Sequence, residues 1–337
     1  YVTIDMLKAR GKQRRGLIMQ SSKVAAGIVL YNPDNIIRLY ENIDTLKKQV
    51  SKIYLFDNST VELKLEVPQD VIYLREHDNR GIAYALNVIM ENAKQDGFDW
   101  VITMDQDSIL PEGMVKSFME FIQTNQPENI GIICPQVKDK RRAYMEIESG
   151  LKKWECIDFC ITSASCTSVE AWKQIGGFDE WLFIDLVDND FCKRMRIANY
   201  KIIRMNEWVL DQEFGQITPK EPKKQQFWIK LSKLLHNANI AKFSYKKVVN
   251  PMRIYYTCRN IVYVNKKLKL YGKVGYENYN CKGYLGFVIS FMAPSILRAN
   301  DKIKVMKACM QGTRDGLRKR VDPWNNEERY EQCGVRQ

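Results

Sequence analysis

The sequence contains very little histidine and no closely spaced pair of cysteines. Two histidines and nine cysteines, with no CxxC spacing, occur among its 337 residues. A structural zinc site is therefore not expected, because such sites draw on clustered Cys and His ligands. An odd number of cysteines without short regular spacing favours reduced thiols, and hence a cytoplasmic protein.

Two phosphate-binding motifs and a membrane-spanning run are also missing. No GxGxxG follows the first predicted strand and no GxxxxGK[ST] occurs anywhere, so dinucleotide and P-loop sites lack their glycines. The most apolar stretch, residues 284–297, is only 14 residues long and contains a proline, which suits a core or interfacial helix better than a span. Residues 1–21 lack the apolar centre of a secretory signal, and we expect a leader or an added segment there.

Charge is divided unevenly along the chain. Residues 1–200 carry 25 Lys/Arg against 29 Asp/Glu, whereas residues 201–337 carry 27 against 11. The basic half predicts an anionic partner, such as a phosphorylated ligand, nucleic acid or an acidic membrane face; a solvated lysine-rich surface is the alternative. Residues 222–248 mix bulky apolar side chains with lysines, as an interfacial helix does, so we expect salt-sensitive binding to anionic membranes.

Apolar segments alternate with helical patterns in the first part of the chain. Strands are predicted at residues 24–32, 52–60, 70–76 and 99–108, and this alternation is typical of a mostly parallel sheet. Because the carboxyl ends of parallel strands share one edge, the polar residues that follow them are expected to line one crevice. These clusters are Tyr31-Asn32, Asp57-Asn58, Asn79-Arg80-Gly81 and Asp105-Gln106-Asp107.

Two carboxylates one residue apart follow the fourth predicted strand. Asp105 and Asp107 repel each other unless a cation or a proton lies between them. Hard oxygen ligands of this kind hold Mg²⁺ or Mn²⁺ while phosphate oxygens complete the coordination shell. The pair therefore indicates a metal-bound nucleoside diphosphate, although Asp is also common in turns after strands.

A second acidic cluster surrounds the start of a later predicted helix. Asp185, Asp188 and Asp190 lie among bulky apolar residues. Acidic residues in a first helical turn are favoured as caps, the role expected for Asp190. Three aspartates exceed what a cap needs, and a partly buried one can act as a general base.

These motifs together resemble the family 2 glycosyltransferases with a GT-A fold, most closely the bacterial rhamnosyltransferase-like branch. The matching pieces between about residue 24 and residue 260 are "GIVLYNPD", "LFDNST", "NRGIAYALN", "MDQDS", "GGFDEWLFIDLVDNDFCKR" and "RIYYTCRN". The resemblance implies an α/β fold, with a Rossmann-like, mostly parallel sheet flanked by helices in residues 22–220. Residues 221–337 would form a basic, mainly helical region that contacts the acceptor or a membrane surface.

The resemblance also implies a role for each matched residue. Asp188 is the expected catalytic base, and Trp181 and Asp185 are expected at the acceptor, with Asp185 as the alternative base. Asp105 and Asp107 would contact the donor and its metal, with Gln212 as a further metal ligand. The other expected donor-binding residues are Tyr31, Asn32, Asp57, Asn79, Gly81, Asn87, Gln106 and Arg259. Arg253 is a further candidate for a diphosphate or an anionic acceptor.

The chain departs from the family pattern at two positions. Val187 stands before Asp188 where relatives often have glutamate, which leaves Asp185 and Asp190 as possible substitutes. Gln212, in "LDQEFG", occupies the position of a histidine that helps to hold the metal in relatives. An amide oxygen can ligate Mg²⁺ or Mn²⁺ but carries no charge, so metal binding is expected to depend mostly on Asp107.

The implied activity is inverting transfer of a sugar from a nucleoside diphosphate. The favoured donor is deoxythymidine-diphosphate-rhamnose and the favoured acceptor a growing cell-surface or lipid-linked glycan, with galactofuranose or another hexose as alternatives. A cytoplasmic location at the inner face of the cell membrane is expected. A nucleotidyltransferase is the nearest enzyme rival, and it would release pyrophosphate instead of nucleoside diphosphate. A basic nucleic-acid-binding protein is a remote alternative, because the acidic crevice would repel a phosphate backbone.

Overall fold

An eight-stranded mixed sheet forms the centre of the fold, with strands in the order β3-β2-β1-β4-β7-β5-β8-β6. The computed structural model describes residues 22–321 apart from 62, 64, 77, 126–127, 140, 143–151, 214–216, 237 and 272–282. Residues 1–21, expected to be a leader or an added segment, lie outside this range. The strands are β1 (Val24–Leu30), β2 (Ile53–Asp57), β3 (Val71–Arg75), β4 (Trp100–Asp105), β5 (Ile130–Lys138), β6 (Trp154–Ile157), β7 (Ser165–Ser168) and β8 (Lys201–Asp211).

Helices connect these strands and make up most of the chain after them. They are α1 (Ile36–Lys47), α2 (Ile82–Gln95), α3 (Met114–Asn125), α4 (Val169–Gln174), α5 (Val187–Ile197), α6 (Pro222–Leu234), α7 (Ala238–Ala241), α8 (Pro251–Tyr271), α9 (Gly283–Phe287), α10 (Ala293–Arg298) and α11 (Lys302–Arg318). A π-helical stretch, Val288–Met292, joins α9 to α10. A small antiparallel pair, β9 (Ile217–Pro219) and β10 (Tyr245–Lys247), lies between β8 and α8.

The four strands predicted from the sequence form a continuous parallel block at one end of the sheet, and β5 and β8 form a second parallel pair. β1 pairs in parallel with β2 and β4, and β2 pairs in parallel with β3. Their continuous apolar runs reflect burial on both faces, since helices cover the two sides. β7 enters antiparallel between β4 and β5. The prediction of a mostly parallel, helix-flanked sheet is confirmed.

Two apolar clusters cover the two faces of the sheet. One packs α1 and α3 against side chains such as Ile28 and Leu30 of β1. The other contains residues of α2, α4, α5, α8 and α11. The second cluster therefore ties the C-terminal helices to the same face of the sheet that carries α5.

The part of the chain after β8 is mainly helical, as expected. Its longest element is α8, with 21 residues, and α11 packs along it. Within the described residues, no helix combines the length and apolarity that crossing a membrane requires.

Candidate functional site

The carboxyl ends of β1 and β4 lie side by side because the two strands are parallel neighbours, with Val29 opposite Asp105. Gln106 joins them through its side-chain amide. Its Oε1 accepts from the backbone N–H of Tyr31 at 2.8 Å, and its Nε2 donates to the Tyr31 carbonyl at 3.3 Å. The sheet edge thus brings together three of the residues expected at the donor, Tyr31, Asp105 and Gln106.

Asp105 is held by a pair of buried polar side chains. Gln212 Nε2 donates to Asp105 Oδ2 at 2.7 Å, and the Ser108 hydroxyl donates to Gln212 Oε1. Burial, and next the neighbouring charge of Asp107, raise the pKa of Asp105 to about 6. As placed, Gln212 directs its amide nitrogen, not its oxygen, towards Asp105. Its predicted role as a metal ligand would require this amide to reorient.

Asp188 lies in the first turn of α5, half-buried, and faces the same crevice. Thr162 hydrogen-bonds it through both its backbone and its side chain. Burial, then the charges of Asp105 and Cys160, raise the pKa of Asp188 to about 7 in spite of those hydrogen bonds. A carboxylate with a pKa near neutrality is suited to general-base catalysis. The structure therefore brings the predicted base close enough to Asp105 for their charges to interact.

The segment before Asp188 has an unusual backbone that α8 holds in place. Phe183, Asp185 and Leu186 have φ values of 61°, 64° and 62°, a region that non-glycine residues seldom occupy. Buried Asn260 of α8 directs its Nδ2 to three carbonyl groups of this segment, at 2.8–2.9 Å. These contacts offset the backbone strain and fix the start of α5, where Asp188 lies.

Arg259 supports the same segment instead of facing open space. Its guanidinium donates to the carbonyls of Trp181 and Leu182 and lies 3.9 Å from the centre of the Trp181 ring. Burial lowers the pKa of Arg259. The side chain is almost fully buried, so this packing gives it a positioning role, and the predicted contact with the donor is left as a prediction. Trp181 itself packs against Tyr263, with ring centres 4.4 Å apart.

The two other aspartates of this region have strong ionic partners. Arg253 donates two hydrogen bonds to the Asp185 carboxylate as a bidentate pair, one of them at 2.8 Å, and the Thr257 hydroxyl donates a third at 3.3 Å. Arg253, expected near a diphosphate, thus contacts the alternative base. Such a pairing occupies both oxygens of Asp185, whereas a base needs a free oxygen to receive a proton.

Asp190 is not a helix cap, contrary to expectation. The cap position of α5 is Leu186, and no side chain bonds there. Asp190 is fully buried and forms ion pairs of 2.8 Å with Arg194 and with Lys267 of α8. Acidic residues are common in the first turn of a helix, so the sequence pattern predicts a cap. Lys267, the ionic partner, lies 77 residues after Asp190, and local spacing cannot reveal such a contact.

Asp57 and Asn32 lie at the ends of β2 and β1. Asp57 is buried, and it accepts from Tyr73 Oη at 2.6 Å and from the Ser59 backbone at 2.8 Å. Arg75 lies 3.3 Å from the same carboxylate. Asn32, with φ 40°, donates its backbone N–H to the Ser59 hydroxyl at 2.8 Å. The predicted contact between Asp57 and a nucleoside therefore requires one of these partners to move away from the carboxylate.

Asn79, Gly81 and Asn87 shape the adjoining loop and helix. Asn79 Oδ1 accepts from the Gly81 backbone at 2.9 Å. A Cβ at Gly81 would lie 2.6 Å from the Phe183 ring. Glycine is therefore required where this loop meets residues 181–186, the segment before Asp188 that we call the base segment. Asn87 Oδ1 accepts from Trp172 Nε1 at 3.1 Å, and its Nδ2 donates to the Phe178 carbonyl at 2.9 Å. Asn87 thus fastens α2 to the segment that leads to the base.

Two arginines near Asp107 were not singled out from the sequence. Arg38 of α1 donates to the Asp107 carbonyl. Arg141, held at 3.0 Å by buried Asp139, is near enough to Asp107 for the carboxylate to affect its pKa. Neither arginine belongs to a recognisable motif. Their position near Asp107 is visible only in the structure, where α1 and the residues after β5 approach the end of β4.

Asp107 offers the most accessible carboxylate for a cation. In the described parts of the chain, no three His, Cys, Asp or Glu side chains are grouped to enclose a metal ion. Mg²⁺, however, is often held by one or two carboxylates together with substrate phosphates and water. The exposed Asp107, with Asp105 beside it, fits that kind of site, in which the nucleotide brings the remaining ligands.

Comparison with known proteins shows what the part of the chain that contains Asp105 and Asp107 is similar to. Residues 27–179, somewhat less than half of the chain, match the family described as Glycosyl transferase family 2. Asp188, Gln212 and the contacts from α8 lie after the matched residues. The dTDP-rhamnosyl transferase RfbF of Shigella flexneri is 28% identical over 198 residues, which cover 54% of this chain and 66% of RfbF. The resemblance to the rhamnosyltransferase-like branch is thereby confirmed.

Solved structures of glycosyltransferases are also similar to this chain. The crystal structure of S. aureus TarS has a TM-score of 0.48 at 12% identity, and the match covers 87% of this chain and 54% of TarS. That of GalNAc-T7 with UDP, GalNAc and Mn²⁺ has a TM-score of 0.48 at 11% identity, with 82% and 57% covered. The chain thus spans about half the length of these two proteins. Identities this low say nothing about the ligands of this chain.

Proposed function

We propose that this chain is an inverting glycosyltransferase that moves rhamnose from a nucleoside diphosphate to a hydroxyl group of a cell-surface or lipid-linked glycan. The observation that carries the proposal is the approach of Asp188 to the Asp105–Asp107 pair at the carboxyl edge of the parallel strands. Single displacement at an anomeric carbon needs a base for the acceptor hydroxyl and stabilisation of the leaving diphosphate. Asp188 is placed for the first task, and a metal ion held at Asp107 would serve the second.

The reaction follows from these positions. Asp188 accepts the proton of the acceptor hydroxyl, whose oxygen attacks the anomeric carbon. The bond between that carbon and the diphosphate oxygen breaks, and nucleoside diphosphate leaves from the opposite face, so the configuration inverts. Arg38 and Arg141, both near Asp107, are suited to contact the departing diphosphate.

A divalent metal ion, Mn²⁺ or Mg²⁺, fits the donor side of the site. When bound, it would neutralise charge that develops on the leaving diphosphate. Asp107 is the proposed protein ligand, because its carboxylate is exposed whereas Asp105 already accepts from Gln212. The neutral Gln212 holds Asp105 in this arrangement and leaves the charge of the metal to Asp107 and the nucleotide.

The proposal includes peripheral attachment to the inner face of the cell membrane. It is supported by α6, which exposes Phe227 and Leu234 among several lysines. The net positive charge of residues 201–337 would favour an anionic lipid surface.

A screen of nucleotide sugars with product analysis tests the proposed reaction. Deoxythymidine-diphosphate-rhamnose should be hydrolysed or transferred faster than donors of galactofuranose or other hexoses, with release of nucleoside diphosphate. Preference for another sugar would change the donor and leave the reaction class intact. Release of pyrophosphate would instead identify a nucleotidyltransferase and refute the proposal.

A further inference from the structure

The outer side of α11 carries an apolar stripe that the described residues of the chain leave exposed. At about 100° per residue, the exposed side chains Ile303, Met306, Met310 and Leu317 fall within an arc of roughly 60°. Large apolar side chains grouped on a surface in this way mark a contact with a partner or with lipid.

The opposite side of α11 is fixed against α8, which determines the direction in which the stripe points. A Cβ at Gly312 would lie 2.3 Å from the Tyr255 carbonyl oxygen, and one at Gly316 would lie 2.3 Å from that of Arg259. The two helices therefore approach backbone to backbone. Rotating α11 to bury the stripe would destroy this packing, so the stripe is exposed as a consequence of the fold.

A groove continues the stripe towards the helical run of α9 and α10. It has a volume of about 550 Å³, within the range of ligand clefts. Its apolar walls come from Tyr284 and Met292 on one side and from Met310 and Leu317 on the other. Arg314 and Arg318 line it as well, so the groove combines apolar walls with two positively charged side chains.

The neighbouring charges and apolar residues extend this pattern beyond the groove. α11 carries five Lys/Arg against one Asp. That aspartate, Asp315, accepts from Tyr255 Oη at 2.9 Å and lies 3.3 Å from Arg314 Nε, so the helix keeps a surplus of positive charge. Leu285 and Ile289, before α10, and Leu297, within it, are more than 60% exposed. Apolar side chains next to a surplus of basic ones are the composition of a surface that lies in the headgroup region of an anionic bilayer.

We propose that α9, α10 and α11 form the surface with which this chain docks on an anionic lipid bilayer, with an acyl chain in the groove and lipid phosphates at Arg314 and Arg318. This inference rests on the membrane attachment included in the proposed function. It assigns the main membrane contact to α9, α10 and α11 instead of α6. Charge complementarity selects lipid as the occupant, because a second copy of this surface would bring its basic residues against each other.

Vesicle sedimentation of the full chain and its variants tests the location. Vesicles of phosphatidylcholine mixed with phosphatidylglycerol should retain the parent protein at low salt, and vesicles of phosphatidylcholine alone should retain far less. The double variant Met310→Ser with Leu317→Ser should lose most of the binding. Arg314→Gln with Arg318→Gln should weaken it roughly 30-fold, from the usual contribution of two basic residues near an anionic surface.

The control replaces two equally exposed aliphatic residues of the catalytic domain, Ile37→Ser with Val61→Ser, and should bind like the parent. Thermal unfolding of every variant checks that the substitutions leave the fold intact. Normal binding by the Met310/Leu317 variant, with loss in Phe227→Ser and Leu234→Ser, would place the contact at α6 and overturn this inference while leaving membrane attachment intact. No binding by the parent would refute both, whereas donor hydrolysis, measured separately, tests the sugar transfer.

Two further measurements test the occupant. The parent has seven tryptophans, so each tryptophan variant is compared with it. Lipids brominated on their acyl chains should quench Met310→Trp more than the parent, whereas Ile37→Trp should show no such excess; equal excess quenching in the two variants would reject the groove as an acyl-chain site. Light scattering gives the oligomeric state. A parent dimer that becomes monomeric in Met310→Ser with Leu317→Ser, without any binding to vesicles, would show that a second copy covers the surface and would overturn the proposal.

Discussion

Replacement of Asp188 by asparagine should lower activity and raise stability in the same protein. The side chain keeps its size but loses the ability to take a proton. Transfer should therefore fall by about 10²–10⁴-fold, the usual contribution of general-base catalysis. Nucleoside diphosphate should bind as before, since Asp105 and Asp107 lie at the end of β4 and not on α5. Initial rates and isothermal calorimetry measure the two quantities.

The pH dependence of transfer should identify the same group. Because the pKa of Asp188 is raised to about 7, about a tenth of the protein has the ionised base at pH 6 and about nine tenths at pH 8. The rate of the parent should therefore rise about tenfold over this interval. The residual rate of Asp188→Asn should rise no more than about twofold there, because Asp105, with a pKa of about 6, is the group of the site that still titrates.

The effect on stability follows from the direction of that shift. A carboxyl group whose pKa rises from 3.8 in the unfolded chain to about 7 in the fold binds its proton more tightly when folded. Its ionisation thus costs nothing below pH 4, costs more as the pH rises to 7, and costs most above 7. The shift corresponds to about 4 kcal/mol at most. Since Asp188 is only half-buried and asparagine lacks one acceptor for Thr162, we expect a gain of about 1–3 kcal/mol at pH 8.

Chemical denaturation at pH 5 and pH 8 checks this expectation, and Asp185→Asn is the matched comparison. Asp185 lies three residues before Asp188, but Arg253 occupies its oxygens. Near-normal transfer by Asp188→Asn, together with a collapse of transfer in Asp185→Asn, would assign the base to Asp185. An Asp188→Asn protein that is less stable than the parent at pH 8 would refute the burial argument even if the base is correct.

Four other substitutions have defined outcomes. Asp190→Asn should lower the free energy of unfolding by about 3–5 kcal/mol in urea, because it leaves Lys267 buried without its full counter-charge. Asp107→Ala should abolish most of the gain in nucleoside diphosphate affinity that Mn²⁺ or Mg²⁺ provides, and metal-independent binding by the parent in calorimetry would reject the metal assignment. Asn260→Ala should lower kcat while leaving the affinity for the donor unchanged, since it frees the carbonyls before Asp188; an equal loss of donor affinity would contradict a positioning role. Gly81→Ala should destabilise the fold by about 1–3 kcal/mol, because φ is 87° and the new Cβ would meet Phe183, and an unchanged melting temperature would show that this contact yields freely.

The sheet and the donor side of the site could be predicted because their signals are local. Each parallel strand reads as a short apolar run, and the polar residue after it must lie at the common edge whatever the rest of the chain does. Asp105 and Asp107 are found in this way, and so are Tyr31 and Gln106. No long-range information is needed to place residues that directly end neighbouring strands.

Local patterns do not predict the partners of the site residues, because these come from distant parts of the chain. Asn260 lies 75 residues after Asp185, whose carbonyl it contacts. Gln212 lies 107 residues after Asp105, and only the family resemblance assigns it to the site. Arginines beside tyrosines in "RIYYTCRN" read equally well as ligands of phosphate or as packing residues. The structure decides between these readings, because α8 packs against the base segment. Arg259 there contacts the Leu182 carbonyl and the rings of Trp181 and Tyr256.

α8 therefore shapes the candidate site through the backbone that precedes Asp188. Three peptide carbonyls near Asp188, at residues 182, 184 and 185, accept hydrogen bonds from Asn260 of α8. These contacts offset the cost of the positive φ values at Phe183, Asp185 and Leu186. α8 is in turn fixed by α11, whose glycines allow the backbones to touch. If α11 also rests on a bilayer, the same helix pair joins the membrane to the base segment. The orientation of Asp188 is then set from the side of the molecule on which a lipid-linked acceptor would arrive.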